Sequence, residues 1–540
     1  MKKILLFLAA SAMFVLPGIS QQEARQEAQL DGRSWWGYVK TLAADDMEGR
    51  ETGSPGLRRA EAYLVERLKM DGLEPAGSDG FYQPLQFESR QIMEADSSLA
   101  LINKGQVEPL ILGADAIFST RMDLPPSLHA PLDFIGYGLS VPEKGYDDLA
   151  GEDLKGKVAV MMAGTPSQLP GALASHYSSP GERWKALEKA GAVGVIMILN
   201  PASMDIPWNR IAANRTHPSM VLSGKEFDET SGQKLAVIFN PEHAGRLFAG
   251  SGHKLREILD LARERKPLPR FPLTVSIKAR TAVSRKHIES ANVVARLTGS
   301  DPKLKDEYVV LSAHIDHIGA GEPIKGDRIY NGAMDNAAGS AVLLDLAEHL
   351  QKSGARPRRS LLFVFLTGEE KGLLGSRYFT AHPTVKPGSM VADINIDMFL
   401  PIVPLKVLTV YGLEESDLGD EARQIGQALG VRVQADPEPQ RNAFIRSDQY
   451  NFIRHGIPAL AMAVGFEKGS PEEQLFKNWL TQRYHAPSDD LDQAVDLAAA
   501  AKYEEIVRSL LLDLANNERR PQWKADSFFR RYAQMAAGLP

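Results

Sequence analysis

The run Tyr308-Val309-Val310-Leu311-Ser312-Ala313-His314-Ile315-Asp316-His317 begins almost wholly apolar and ends on two imidazoles and a carboxylate. A strand that is apolar without alternation is covered on both faces, as in a sheet layered between helices. Leu361–Leu366 and Ala459–Val464 read the same way. Between them, the stretch after Asn336 places Leu343, Leu346, Ala347 and Leu350 on one helical stripe, and a second helix is expected from about Ala494 to Asn516. Strand Ala392–Met398 departs from the pattern, because Asp393, Asn395 and Asp397 share one face, which a purely structural strand avoids. These pieces predict an α/β fold, a mixed β-sheet sandwiched by helices.

Toward the N-terminus, Ser34–Ala44 and Leu57–Met70 have helical spacing and flank a turn-rich loop, Glu48-Gly49-Arg50-Glu51-Thr52-Gly53-Ser54-Pro55-Gly56. Residues 81–117 are strand-like, and Pro125-Pro126 marks a boundary. From about Ala130 to Leu273 the chain carries its own strands, at Phe134–Leu139, Val158–Ala163, Val193–Leu199 and Leu235–Phe239, with a helix at Arg183–Ala190. That is enough for an inserted, smaller α/β module at 130–273. It would interrupt a main domain formed by 21–129 and 274–517, leaving a tail at 518–540. Residues 1–20 have Lys2 and Lys3, an apolar run from Ile4 to Leu16, then Pro17-Gly18, the pattern of a secretory signal peptide. The mature chain is therefore expected to be exported, periplasmic or secreted, with no membrane association after signal removal.

With 540 residues, 44% hydrophobic and 24% charged, the chain should pack into two or three domains. A formal charge of −6 argues against a nucleic-acid partner. The absence of cysteine excludes disulfides, thiolate metal sites and thiol nucleophiles, so any metal must use His, Asp and Glu.

Five places offer such groups at expected strand ends or loops, where open α/β sheets build sites. In His314-Ile315-Asp316-His317, extended geometry sets His314 and Asp316 on one side, so that Asp316 can accept the second imidazole proton, and turns His317 away. Asp335 sits where a helix cap would, in a small-residue turn. In Glu369-Glu370, adjacent carboxylates point opposite ways, so one can face a metal and the other a water. Asp397 lies on the polar strand face, and His485 is in a loop with Asp489 and Asp490 available to support it. Together His314, Asp335, Glu370, Asp397 and His485 can hold two divalent ions with one carboxylate shared.

This set resembles the exported zinc aminopeptidases with paired metal ions, relatives of bacterial leucyl aminopeptidases and of glutamate carboxypeptidase. The likeness rests on the His-x-Asp, the Asp 21 positions past His314, the Glu-Glu, the Asp 28 positions past Glu369 and the late His, with the Glu48–Gly56 loop as an N-terminal signature. The segments Phe134–Gly138, Tyr146-Asp147-Asp148 and Leu154–Val158 are similar to the protease-associated domain that several members carry.

The resemblance implies two zinc ions per chain, His314 and Asp397 on one, Glu370 and His485 on the other, Asp335 bridging, and Glu369 as general base beside a catalytic Asp316. It implies a cis peptide between Asp335 and Asn336. It makes Arg446, Ser447, Asp448 and Tyr450 the lining of a pocket for a peptide substrate, with Gln449 where relatives often have His. The implied activity is removal of N-terminal residues. The alternatives are a carboxypeptidase, for which Arg446 and Arg454 are candidate carboxylate anchors, a one-zinc glutaminyl cyclase, and a binding protein that has lost catalysis. The module is expected either to wall the site or to stand aside from it. The preferred terminal residue and the oligomeric state are left open.

Overall fold

A computed structural model of the chain describes residues 30–538, so the expected signal segment at 1–20 lies outside the described residues. Two large sheets organise it. The strands of the first run in the order Ser219–Leu222, Tyr82–Ile92, Val283–Leu297, Ser360–Leu366, Tyr308–His314, Met390–Ile396, Ala459–Val464, Val407–Tyr411 and Arg432–Gln434. Its centre, from Ser360–Leu366 through Tyr308–His314 and Met390–Ile396 to Ala459–Val464, is parallel; the strands flanking this centre join it antiparallel, and the edge strand Arg432–Gln434 pairs parallel with Val407–Tyr411.

The two-residue period explains why the central strands read as unbroken apolar runs. Val309, Leu311, Phe363 and Phe365 face the core under the helices Arg33–Leu42, Pro55–Met70, Ala338–Lys352 and Leu497–Asn516. Val310, Leu362 and Val364 face a separate core with Phe379, Phe452 and Phe529. Both faces are dry, so neither can carry the polar half of an alternating strand.

The second sheet has eight strands, ordered Gln106–Leu110, Ser98–Asn103, Arg270–Arg280, Ser127–Ile135, Val158–Met162, Gly194–Ile198, Ala236–Phe239 and Ala116–Phe118. It begins well before residue 130 and runs past residue 273, a wider span than the sequence suggested. Leu99 and Leu101 in Ser98–Asn103 are buried in its core; alternation marks them as strand residues but is silent on which sheet they join. The converse holds for Ser219–Leu222, inside the expected insertion, which pairs antiparallel with Tyr82–Ile92 at the edge of the first sheet. There Met220 and Leu222 pack with Leu85 and Phe87, each worth roughly 1.5–3 kcal/mol of burial. After residue 518 the chain crosses back over the body, where the Trp523 indole donates to the Gly456 carbonyl at 3.0 Å and Phe529 is buried. No helix among the described residues is long and apolar enough to cross a membrane.

Candidate metal centre

Three neighbouring parallel strands end side by side, and each delivers a functional group. His314 is the last residue of Tyr308–His314, Glu369 and Glu370 follow Ser360–Leu366 within four residues, and Asp397 directly follows Met390–Ile396. Asp335 comes from the turn that leads into the Ala338–Lys352 helix, where the Asp335–Asn336 peptide is cis. His485 comes from the loop after the Pro471–Gln482 helix, with a φ of 54°.

The two oxygens of Asp335 face opposite partners. His314 Nε2 lies 3.3 Å from Asp335 Oδ1 and 3.2 Å from Asp397 Oδ1. His485 Nε2 lies 3.2 Å from Asp335 Oδ2 and 3.3 Å from Glu370 Oε2. Four donors at tetrahedral corners about 2.0–2.1 Å from a zinc ion stand about 3.3 Å from one another. The donor separations on each side of Asp335 thus fit the edges of a zinc coordination shell, with one carboxylate common to both sides.

His317, expected to point away, instead faces the acidic groups. Its Nδ1 is 2.7 Å from Glu370 Oε1 and 3.9 Å from Asp335 Oδ2, and its ring meets that of His485 edge-on at 5.8 Å. The strand ends at His314, so alternation no longer governs the direction of residue 317. His317 with Asp335 and Glu370 is itself a group able to hold an ion.

Asp316 also departs from expectation. The His314 Nδ1 is 3.1 Å from the Asp316 carbonyl oxygen and 3.9 Å from its nearer carboxylate oxygen, so the backbone is the closer acceptor. The Asp316 carboxylate accepts from the Thr52 hydroxyl at 2.8 Å and from the Glu369 backbone N–H at 3.1 Å, which ties the loop bearing Glu369 to the Thr52 segment. Asp489 does not support His485. It is fully buried beneath the Met334-Asp335 turn and accepts both backbone N–H groups at 3.0 Å, while Asp490 turns back to the Asp492 N–H.

Arg50 supplies the counter-charge. Its buried guanidinium donates to the carbonyls of Leu42, Asn331, Ile315 and Gly332 at 2.6–2.9 Å, spanning both segments that present His314 and Asp335. Burial lowers its pKa to about 10, held up by the charges of Asp489, Asp316, Asp335 and Glu370. Burial lifts Glu369 well above the usual carboxylate range, reinforced by the negative charges of Asp397 and Glu370. Glu370 stays well below that range, because the imidazoles of His485 and His317 outweigh its burial. His314 is raised well above an ordinary imidazole: its burial works the other way but yields to Glu369 and Asp397.

The four expected pocket residues separate. Arg446 opens on a hollow shared with Tyr484 and His485, but its Nη1 is held by Asp205 at 2.6 Å. Ser447 accepts from Asn395 at 2.6 Å within a buried polar network that also contains Ser312, Asp393 and Gln449. Asp448 is fully buried, and burial raises its pKa to about 7. The Tyr450 hydroxyl is 2.8 Å from His176 Nδ1, across the contact with the second sheet's helices.

Two residues with no local signature brace the His485 loop. Arg210 donates to the carbonyls of Tyr484 and Thr481 at 2.8 Å, and Asp205 bridges Arg441 and Arg446 at 2.7 and 2.6 Å. Both come from the segment between Gly194–Ile198 and Ser219–Leu222, inside the expected insertion.

Comparison with known proteins agrees with this architecture. Residues 292–511 match peptidase family M28. The chain is 23% identical over 327 residues to leupeptin-inactivating enzyme 1 of Streptomyces exfoliatus, covering 59% of this chain and 68% of that protein. It is 31% identical over 123 residues to carboxypeptidase Q of Xenopus laevis, covering 22% of this chain and only 24% of that protein. The fold matches that of the aminopeptidase from Aneurinibacillus sp. strain AM-1 with a TM-score of 0.57, at 19% identity over 93% of this chain and 99% of that one. The stretch that carries His314, Asp335, Glu369, Glu370, Asp397 and His485 is therefore a peptidase family M28 domain, a peptide-hydrolase domain that spans residues 292–511 of this chain.

Proposed function

We propose that the protein is an exported exopeptidase that uses two zinc ions to remove N-terminal residues from peptides. One observation carries this reading: the matched pair of donor sets, each with edges of 3.2–3.3 Å, that share Asp335. In it, His314 and Asp397 would hold one ion, His485 and Glu370 the other, and Asp335 would serve both. Such ions, when bound, supply Lewis acidity and ionise water near neutral pH.

The rest falls to the chain's own groups. Glu369, next in the chain to Glu370 and 4.0 Å from His314 Nε2, takes the proton of the attacking water and passes it to the leaving amine. Asp316 positions Glu369 through its backbone N–H. His317 orients the Glu370 carboxylate through its 2.7 Å contact. The names of the relatives, among them an aminopeptidase and a leupeptin-inactivating enzyme, support the peptide substrate. The Lys2–Ser20 pattern supports export, and the segments similar to a protease-associated domain support that identity for the second sheet.

A carboxypeptidase anchored by Arg446 or Arg454 is disfavoured, since Asp205 and Glu229 neutralise them at 2.6 Å. The test compares an aminoacyl chromogenic amide with an N-blocked peptide, before and after chelation and with zinc restored. Cleavage of the free-amine substrate alone, abolished by chelation and recovered with zinc, is the expected result. Cleavage of only the blocked peptide would remove the aminopeptidase reading, and a single tightly held ion per chain would favour a glutaminyl cyclase.

A further inference from the structure

Beside Glu370, a cavity of about 950 Å³ opens between the two sheets, and Lys371 and Gly372 form part of its wall. Arg121, from the segment that follows Ala116–Phe118, reaches across to that wall. Gly372 makes room for it: a Cβ at that position would stand 3.1 Å from Arg121 Nη1 and 3.2 Å from its Cζ. Arg121 is exposed and forms no ion pair among the described residues, and the charges of Glu369 and Glu370 act on its guanidinium. Arg183, which lines the same cavity, forms no ion pair among the described residues and its Nε has no partner, although the charge of Asp148 acts on it. Several neighbouring cations differ. Lys371 has Glu51 at 3.1 Å, Arg454 has Glu229 at 2.6 Å and Arg90 has Glu88 at 2.6 Å. Phe118 and Trp184 line the same space, so it offers apolar surface and uncompensated positive charge together.

We propose that this cavity receives the leaving side of the substrate and that Arg121, backed by Arg183, binds a peptide carboxylate there. An unpaired arginine in a concave, partly apolar wall is the group suited to such recognition, since its planar fork matches a carboxylate. The inference deepens the exopeptidase reading and rests on it: the chain would favour short peptides with a free amine at one end and a carboxylate on the residue released. That carboxylate can be the C-terminus of a dipeptide or an acidic side chain.

The zinc-loaded E369Q protein, titrated calorimetrically with Leu-Gly and with leucyl-glycinamide, separates binding from turnover. The free acid should bind about ten- to a hundredfold tighter than the amide. That ratio should collapse toward one in E369Q/R121Q and be partly kept in E369Q/R121K. A second arm compares leucyl-glutamate amide with leucyl-glutamine amide; a preference there assigns the subsite to side-chain carboxylates as well. Equal affinity for acid and neutral ligand in both arms overturns the proposal, whether or not the R121Q protein folds. Equal weakening of acid and amide by R121Q overturns it too. A wild-type protein that cleaves no peptide would instead refute the peptidase reading, and the carboxylate preference would still be decided by the same titrations.

Discussion

The two halves of the candidate metal centre are built differently. His314 and Asp397 stand at the ends of adjacent parallel strands, Tyr308–His314 and Met390–Ile396, and the His314 side chain is 1% exposed. His485 stands on a loop, 16% exposed, where Arg210 reaches in from the other sheet's segment. One half inherits its geometry from sheet register, which changes only if the strands slip. The other depends on contacts between parts of the chain more than 270 residues apart. The difference suggests a rigid half and a braced half, with the braced half the easier to empty.

Replacing the shared group is the most severe test. Asp335→Ala should abolish peptide hydrolysis and leave at most one ion per chain by elemental analysis; retention of two ions would show that the halves do not share Asp335. Next, Glu369→Gln should leave both halves loaded while kcat falls by about 10²–10⁴-fold; a protein that loses its metal instead would make Glu369 a ligand. Arg210→Ala separates the halves, weakening the hold on one ion by about ten- to a hundredfold in competition with a chelator, with the first ion unaffected. Simultaneous loss of both would end the distinction between them. The smallest effect is expected for Thr52→Val, which removes one of two hydrogen bonds to the Asp316 carboxylate and should lower kcat about two- to tenfold.

Much of the rigid half was legible in the chain itself. The apolar runs through Val310 and Leu362 required cover on both faces, and the polar face of Asp393, Asn395 and Asp397 had no structural excuse; the structure buries Asp393 and Asn395 in a network with Ser312 and carries Asp397 to the strand end. What escaped lay outside local periodicity. His317 follows the last strand residue, so its direction is set by the bend and its contact with Glu370. Arg50 was visible only as part of a loop signature, because its four carbonyl partners come from three separate segments. Arg210 and Asp205 carry no pattern at all, since a side chain that reaches a distant backbone carbonyl leaves no trace in spacing. The sheet membership of Leu99 and Met220 was hidden for the same reason: period gives a strand its faces and leaves its neighbours unnamed.

The seam at Ser219–Leu222 bears on how such a protein can be dissected. Excising 130–273 would strip the border from the peptidase sheet, uncovering Leu85 and Phe87 and leaving the Tyr82–Ile92 backbone open to strangers. The segment 130–273 therefore cannot be lifted out as a self-contained piece, and a cut that spares both sheets does not fall where a linear map would draw it.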